Sequence, residues 1–145
     1  MPPVVPVRQK LDGGAGSDAL YGYGGNDKLT AGYDGSTNYL DGGSGNDTLQ
    51  GGYGNDTMYG QAGNHTLYDS YGNDALSGGT RTDSRFGRQG NDTLDGGDDG
   101  VKDSLYGGTG ADRFQEDRYR FLVFFTRNRD SAQDFSAGQG DRYFN

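Results

Sequence analysis

Residues 42–59 read GGSGNDTLQGGYGNDTMY, two nine-residue units set back to back. Each unit has a glycine-rich turn, an aspartate at its sixth place and a large apolar residue at its eighth. The frame is Gly-Gly-x-Gly-x-Asp-x-U-x, and it extends in both directions to cover Gly13 to about Gln115 as eleven units. The sixth place falls at Asp18, Asp27, Asn38, Asp47, Asp56, His65, Asp74, Asp83, Asp92, Asp103 and Asp112. Successive sixth places are nine residues apart except at Asp27 to Asn38 and Asp92 to Asp103, which are eleven apart through two-residue insertions in a turn. The eighth place is Leu20, Leu29, Leu40, Leu49, Met58, Leu67, Leu76, Arg85, Leu94, Leu105 and Phe114. Ten of these eleven are apolar in a chain that is only 30% hydrophobic, so the register is not accidental.

Composition limits what can be built. A chain of 145 residues has room for one domain, or for one repeat array with a cap. With 29 glycines and so little apolar content, it cannot form an ordinary globular core. The net charge is -8, and aspartate supplies 20 of the 21 acidic residues. That bias fits a short carboxylate held at a fixed place in a tight turn. Between Leu11 and Tyr106, fifteen Asp face only Lys28, Arg81, Arg85, Arg88 and Lys102, whereas the segment from Gly107 onward is neutral. So acidic an array argues against nucleic acid and anionic membrane as partners, and for cations or a basic partner. Without cysteine there are neither disulfides nor thiolate metal sites. MPPVVPVRQK lacks the apolar run of a signal peptide, and no window approaches the roughly 20 apolar residues of a membrane helix. No HExxH or GxSxG is present, so no enzyme activity is expected.

The nonapeptide predicts an all-β fold, a parallel β-roll (a right-handed β-solenoid) with a C-terminal cap. Asp-x-U-x makes a strand of about three residues with alternate side chains pointing in. Glycines then permit positive φ in the turn. A turn every nine residues reverses the chain, so two units make a coil and same-side turns stack two units apart. One column should hold Asp18, Asn38, Asp56, Asp74, Asp92 and Asp112; the other, Asp27, Asp47, His65, Asp83 and Asp103. The division expected is an N-terminal arm or leading strand over 1–12, where Pro2, Pro3 and Pro6 forbid a helix, the roll over 13–115, and a capping segment over 116–145.

Stacked turns would place like charges about 4.8 Å apart, where they repel unless a cation lies between them. Calcium takes six to eight oxygens at about 2.3–2.6 Å and mixes carboxylates with backbone carbonyls, whereas magnesium demands tighter octahedral geometry. The expected ligands are therefore Asp18, Asp27, Asn38, Asp47, Asp56, Asp74, Asp83, Asp92, Asp103 and Asp112. With them go the turn residues whose backbone oxygens line the stack: Gly13, Gly14 and Gly16; Gly42, Gly43, Ser44 and Gly45; Gly51, Gly52, Tyr53 and Gly54; Gly72, Gly78 and Gly90; Gly96 and Gly97; Gly107, Gly108 and Gly110. One buried leucine contributes about 1.5–3 kcal/mol, less than it costs to order nine backbone residues. Several calcium ions should thus supply folding free energy, leaving the metal-free chain disordered.

The repeats closely resemble the RTX (repeats-in-toxin, haemolysin-type calcium-binding) family, and a nonapeptide of this form is a recognised signature of calcium-binding parallel β-helices. After the repeats, Gly110, Ala111, Asp112 and Phe114, then Asp134, Phe135, Gly138, Gly140 and Asp141, match the tail that often follows in that family. The intervening EDRYRFLVFFTRNR departs from it, so the cap is partial or divergent. The resemblance implies a calcium-loaded β-roll that folds after type I secretion from a bacterial cell. It further implies a fused or neighbouring secreted enzyme, toxin or adhesin domain, with the roll itself non-catalytic.

Three features stand outside the pattern. His65 has no catalytic partner set and reads as a degenerate repeat that weakens the sites at Asp47 and Asp83. The run Phe121–Phe125 (FLVFF) reads as a capping strand over the last coil, because exposed it would invite aggregation. Tyr33, Tyr53 and Tyr71 share one turn column, and Tyr21, Tyr59, Tyr68 and Tyr106 share the ninth place. Such rows pad a thin sheet, or they stack on a sugar. The alternative function is therefore a polysaccharide-binding module attached to a polysaccharide-active enzyme.

Overall fold

The computed structural model describes residues 6–97, 99–115 and 142–144. Among them every regular element is a strand: β1 (Lys10–Asp12), β2 (Ala19–Tyr21), β3 (Lys28–Gly32), β4 (Tyr39–Ser44), β5 (Thr48–Gly52), β6 (Thr57–Ala62), β7 (Thr66–Tyr68), β8 (Ala75–Thr80), β9 (Ser84–Gln89), β10 (Thr93–Asp95), β11 (Ser104–Thr109), β12 (Arg113–Gln115) and β13 (Arg142–Phe144). The odd-numbered strands β1 to β11 form one sheet, and the even-numbered strands β2 to β12, with β13 beyond β12, form the other. Neighbours in a sheet pair in parallel and come from units two apart, giving a β-solenoid of about 6 turns.

The apolar beat sets the register. Leu11, Leu29, Leu49, Leu67, Arg85 and Leu105 align across the first sheet. Leu20, Leu40, Met58, Leu76, Leu94 and Phe114 align across the second. The two rows pack together as one core cluster, joined by Ala31. That core is one side chain deep on each sheet, so every coil depends on what holds its turns.

Several strands are longer than the predicted three residues. β4, β6, β8, β9 and β11 each span six. The turns stack as closely as the strands, so pairing runs on through them: Gly43 aligns with Gln61 and Ser44 with Ala62. The Ser44 N–H donates to the Tyr23 carbonyl at 2.8 Å and the Gly45 N–H to the Ala62 carbonyl at 2.9 Å. β13 pairs with β12 as the last rung of its sheet. The predicted capping run Phe121–Phe125 lies outside the described residues.

The turn imposes its backbone on whatever residue occupies it. Tyr23, Gln61 and Arg88 stand at the second place, where glycine is usual, and still hold φ of 65°, 79° and 75°. A non-glycine residue in that region costs about 1–2 kcal/mol. Arg88→Gly is expected to raise the stability of the calcium-loaded chain by about 1 kcal/mol. Gly45→Ala is expected to lower it by more, because φ there is 130° and a Cβ would run into the Gly25 carbonyl oxygen. Denaturant midpoints at saturating calcium check both signs.

Candidate metal centres in the turn columns

The sixth-place side chains form two continuous ladders. In the first, Oδ1 of Asn38, Asp56, Asp74, Asp92 and Asp112 accepts the backbone N–H of Asp18, Asn38, Asp56, Asp74 and Asp92 in turn, at 2.8 to 3.0 Å. In the second, the N–H groups of Gln9, Asp27, His65 and Asp83 donate to Oδ1 of Asp27, Asp47, Asp83 and Asp103, and that of Asp47 donates to His65 Nδ1. From Asp27 onward, one oxygen of each sixth-place carboxylate is therefore committed to the backbone of the preceding coil. The other, Oδ2, is buried without a hydrogen-bond partner in Asp18, Asp27, Asp47, Asp56, Asp74 and Asp92.

These oxygens face the first-place glycines. A Cβ on Gly42 would lie 2.6 Å from Asp47 Oδ2, and Gly13, Gly78 and Gly107 meet Asp18, Asp83 and Asp112 in the same way. At Gly22 the same space is 2.5 Å from the Gly42 carbonyl oxygen and 2.8 Å from Asp27 Oδ2. An orphaned carboxylate oxygen from one coil and a turn carbonyl from the next thus converge on a cradle that only glycine leaves open. All donors there are oxygen, and the residues present fit a hard cation such as calcium. The other predicted turn residues shape the stack. Gly14, Gly43, Gly52, Gly97 and Gly108 at the second place, and Gly16, Gly45, Gly54, Gly72, Gly90 and Gly110 at the fourth, all have positive φ. Third-place Ser44 and Tyr53 donate their N–H groups to the Tyr23 and Gly32 carbonyls.

Four of the sixth places differ, and a first place adds a carboxylate. Asp69 occupies a first place where glycine is usual, is fully buried, and sends its carboxylate into the turn. Its Oδ2 would lie 2.5 Å from a Cβ on Gly51, where Asp56 Oδ2 would lie 2.7 Å away. Asp56, Asp69 and Asp74 each offer a ligand atom within 4.8 Å of the others. Asn38 keeps the ladder but turns its Nδ2 to Asp56 Oδ1 at 2.9 Å, presenting a donor where the aspartates present an oxygen. His65 is buried, with Nδ1 accepting the Asp47 N–H at 3.2 Å and Nε2 unpartnered. Asp83 and Asp103 both face the Arg85 guanidinium, whose Nη2 is 3.4 Å from each Oδ2.

Burial sets the electrostatics. It pushes Asp47, Asp74, Asp83 and Asp103 up to about 6 and Asp92 to about 7, against the usual 3.8. Asp69 rises to about 9, through burial first and then the charges of Asp74 and Asp56. Burial, then the charge of Arg85, takes His65 down to about 4, so it is neutral at neutral pH and its approach to Asp47 is not an ion pair. A carboxyl whose folded value is raised binds more protons folded than unfolded, so the metal-free fold loses stability as pH rises. Without calcium, strand content is expected to be greatest below about pH 4 and to fall as pH rises through about 6 to 7. Far-UV circular dichroism in chelator across that range checks it. Calcium must displace those protons, so its apparent affinity should weaken on acidification through the same window.

Sequence reasoning missed Asp69, although an Asp in place of the first glycine was there to be read. It also missed the role of the fifth-place asparagines. Asn26 and Asn46 accept the N–H groups of Asn46 and Asn64, and Asn55 and Asn73 those of Asn73 and Asn91, so a second side-chain ladder runs beside the first. The aromatic rows pack on one another. Tyr33, Tyr53 and Tyr71 stand edge to face at 5.3 and 4.9 Å, and Tyr68, Phe86 and Tyr106 stack at 5.0 and 4.6 Å. Nothing in this arrangement supports the polysaccharide-binding alternative. Among the described residues no helix is long and apolar enough to cross a membrane.

The RTX calcium-binding nonapeptide repeat of the haemolysin type matches in four copies, at residues 10–32, 33–67, 68–100 and 102–115. No curated protein and no solved structure matches.

Proposed function

The chain belongs to the RTX calcium-binding nonapeptide-repeat family, and we propose that it is a module that folds on binding several calcium ions and so supports the secretion and extracellular stability of a bacterial protein. The observation that carries this is the division of labour within the carboxylates of Asp27, Asp47, Asp56, Asp74 and Asp92: Oδ1 is spent on the backbone ladder while Oδ2 is buried and unpartnered beside a glycine cradle. The ligands in this reading are Asp18, Asp27, Asp47, Asp56, Asp74, Asp92 and Asp112 with the turn oxygens of their columns, joined by Asp69. Calcium, when bound, supplies the charge that lets the coils close on one another.

The roll in this reading spans 13–115, with a leading strand before it and a cap over 116–145. It performs no catalysis; the passenger is a secreted enzyme, toxin or adhesin domain. A chain that cannot order its turns without calcium stays unfolded where calcium is scarce, which suits passage through a narrow export channel before folding outside. Calorimetric titration of the metal-free chain with calcium, read beside its hydrodynamic radius, tests the reading. Several ions per chain are expected, with compaction following occupancy. A chain that takes up no calcium, or takes it up without contracting, ends it.

A further inference from the structure

We propose that Arg85 is a built-in cation that takes the place of a metal ion between the coils carrying Asp83 and Asp103, so that this step of the second column closes without calcium. The proposal rests on the calcium reading above.

Arg85 stands at an eighth place, where the ten other units carry an apolar residue. It is fully buried in the core, aligned with Leu67 on one side and Leu105 on the other. Leucine or methionine at that place ends in the core, but the arginine side chain runs on into the turn. There Nη2 lies 3.4 Å from Asp83 Oδ2, 3.4 Å from Asp103 Oδ2 and 3.1 Å from the Gly96 carbonyl oxygen. These are the sixth-place carboxylates of two stacked coils and the first-place carbonyl of the second. The same three positions three stages earlier in that column are Asp27, Asp47 and Gly42, whose oxygens surround the cradle at Gly22 and Gly42. The guanidinium nitrogen therefore stands on the donor set that a calcium ion uses elsewhere in the stack.

Two further observations agree. The Oδ2 atoms of Asp27 and Asp47 are buried and unpartnered, whereas those of Asp83 and Asp103 are matched by Arg85. A Cβ on Gly78 would run into both Arg85 Nη2 and Asp83 Oδ2, so the first-place glycine here makes room for the guanidinium instead of an ion. Nε and Nη1 of Arg85 are buried without partners, so the group is held by charge at one nitrogen, as a point cation would be. The adjacent step of the column agrees too. His65 replaces a carboxylate there, so that step holds one acidic side chain fewer than the others. The second column thus carries its own cation where the first carries the extra carboxylate of Asp69.

The test counts ions. Calcium stoichiometry is measured by calorimetry on the wild-type chain and on Arg85→Leu, Arg85→Gln and Arg85→Lys, with far-UV circular dichroism at each point. The neutral variants are expected to bind one more ion than the wild type and to need more calcium to reach half-maximal strand signal. Arg85→Lys, which keeps the charge, is expected to keep the wild-type stoichiometry. Folded neutral variants with an unchanged count overturn the proposal. So does failure of both neutral variants to fold at any calcium concentration, because an ion should then have replaced the guanidinium. Absence of calcium binding in all four chains would instead sink the calcium reading itself.

Discussion

Stripped of calcium near neutral pH, the chain is expected to lose its strand signal almost entirely and to regain it when calcium is restored. The first column stacks Asp56, Asp74 and Asp92, each almost wholly buried, with Asp69 wedged among them. Two like charges about 5 Å apart repel by about 3 kcal/mol at an effective dielectric constant of about 20. A few such pairs equal the whole stability of an ordinary domain, about 5–15 kcal/mol. The core offers no reserve, since each coil buries two eighth-place side chains and little else. Magnesium should restore the signal less well, because a cradle of turn carbonyls and carboxylates suits a larger ion with irregular coordination. Far-UV spectra in chelator, in calcium and in magnesium decide the matter. The same strand content in chelator as in calcium would show that the columns tolerate their own charge.

Replacement of Asp69 by Asn should act in opposite directions on the two states. With calcium bound, the Asp56–Asp69–Asp74 cluster loses one of its three carboxylates, and affinity at that step should drop by roughly ten- to a hundredfold. Without calcium, the same change removes a carboxyl that burial, and then its neighbours' charge, holds at about 9, so the metal-free chain should fold more readily. Calcium titrations followed by circular dichroism will show both effects: a higher baseline at zero calcium, and a midpoint moved to higher calcium for the tightest step. A shift of both in one direction would mean that Asp69 packs the turn without touching the ion.

The roll itself was legible because its signal is periodic. Glycine, aspartate and leucine recur at fixed places through eleven units, and each recurrence repeats one steric demand. The two-residue insertions did not hide it, since they fall in turns and leave Leu20 over Leu40 and Leu94 over Phe114. The expected columns of sixth-place residues are the ladders that the structure forms. Strand length was misjudged because the glycine turns looked like interruptions, while in the stack their N–H groups pair with the neighbouring coil.

The departures from the pattern were harder to read, because their meaning depends on a neighbour in another coil. In the sequence Arg85 is merely a polar residue in an apolar slot. Only stacking places its Nη2 between Asp83 and Asp103. Asp69 is merely a lost glycine until the coil below sets Asp56 against it. The sequence alone determined the solenoid, its register and its demand for cations, since each follows from a local rule repeated nine residues at a time. The tertiary structure decided which buried carboxylates meet a guanidinium and which are left with an unpartnered oxygen, since that depends on side chains from different coils meeting in one turn.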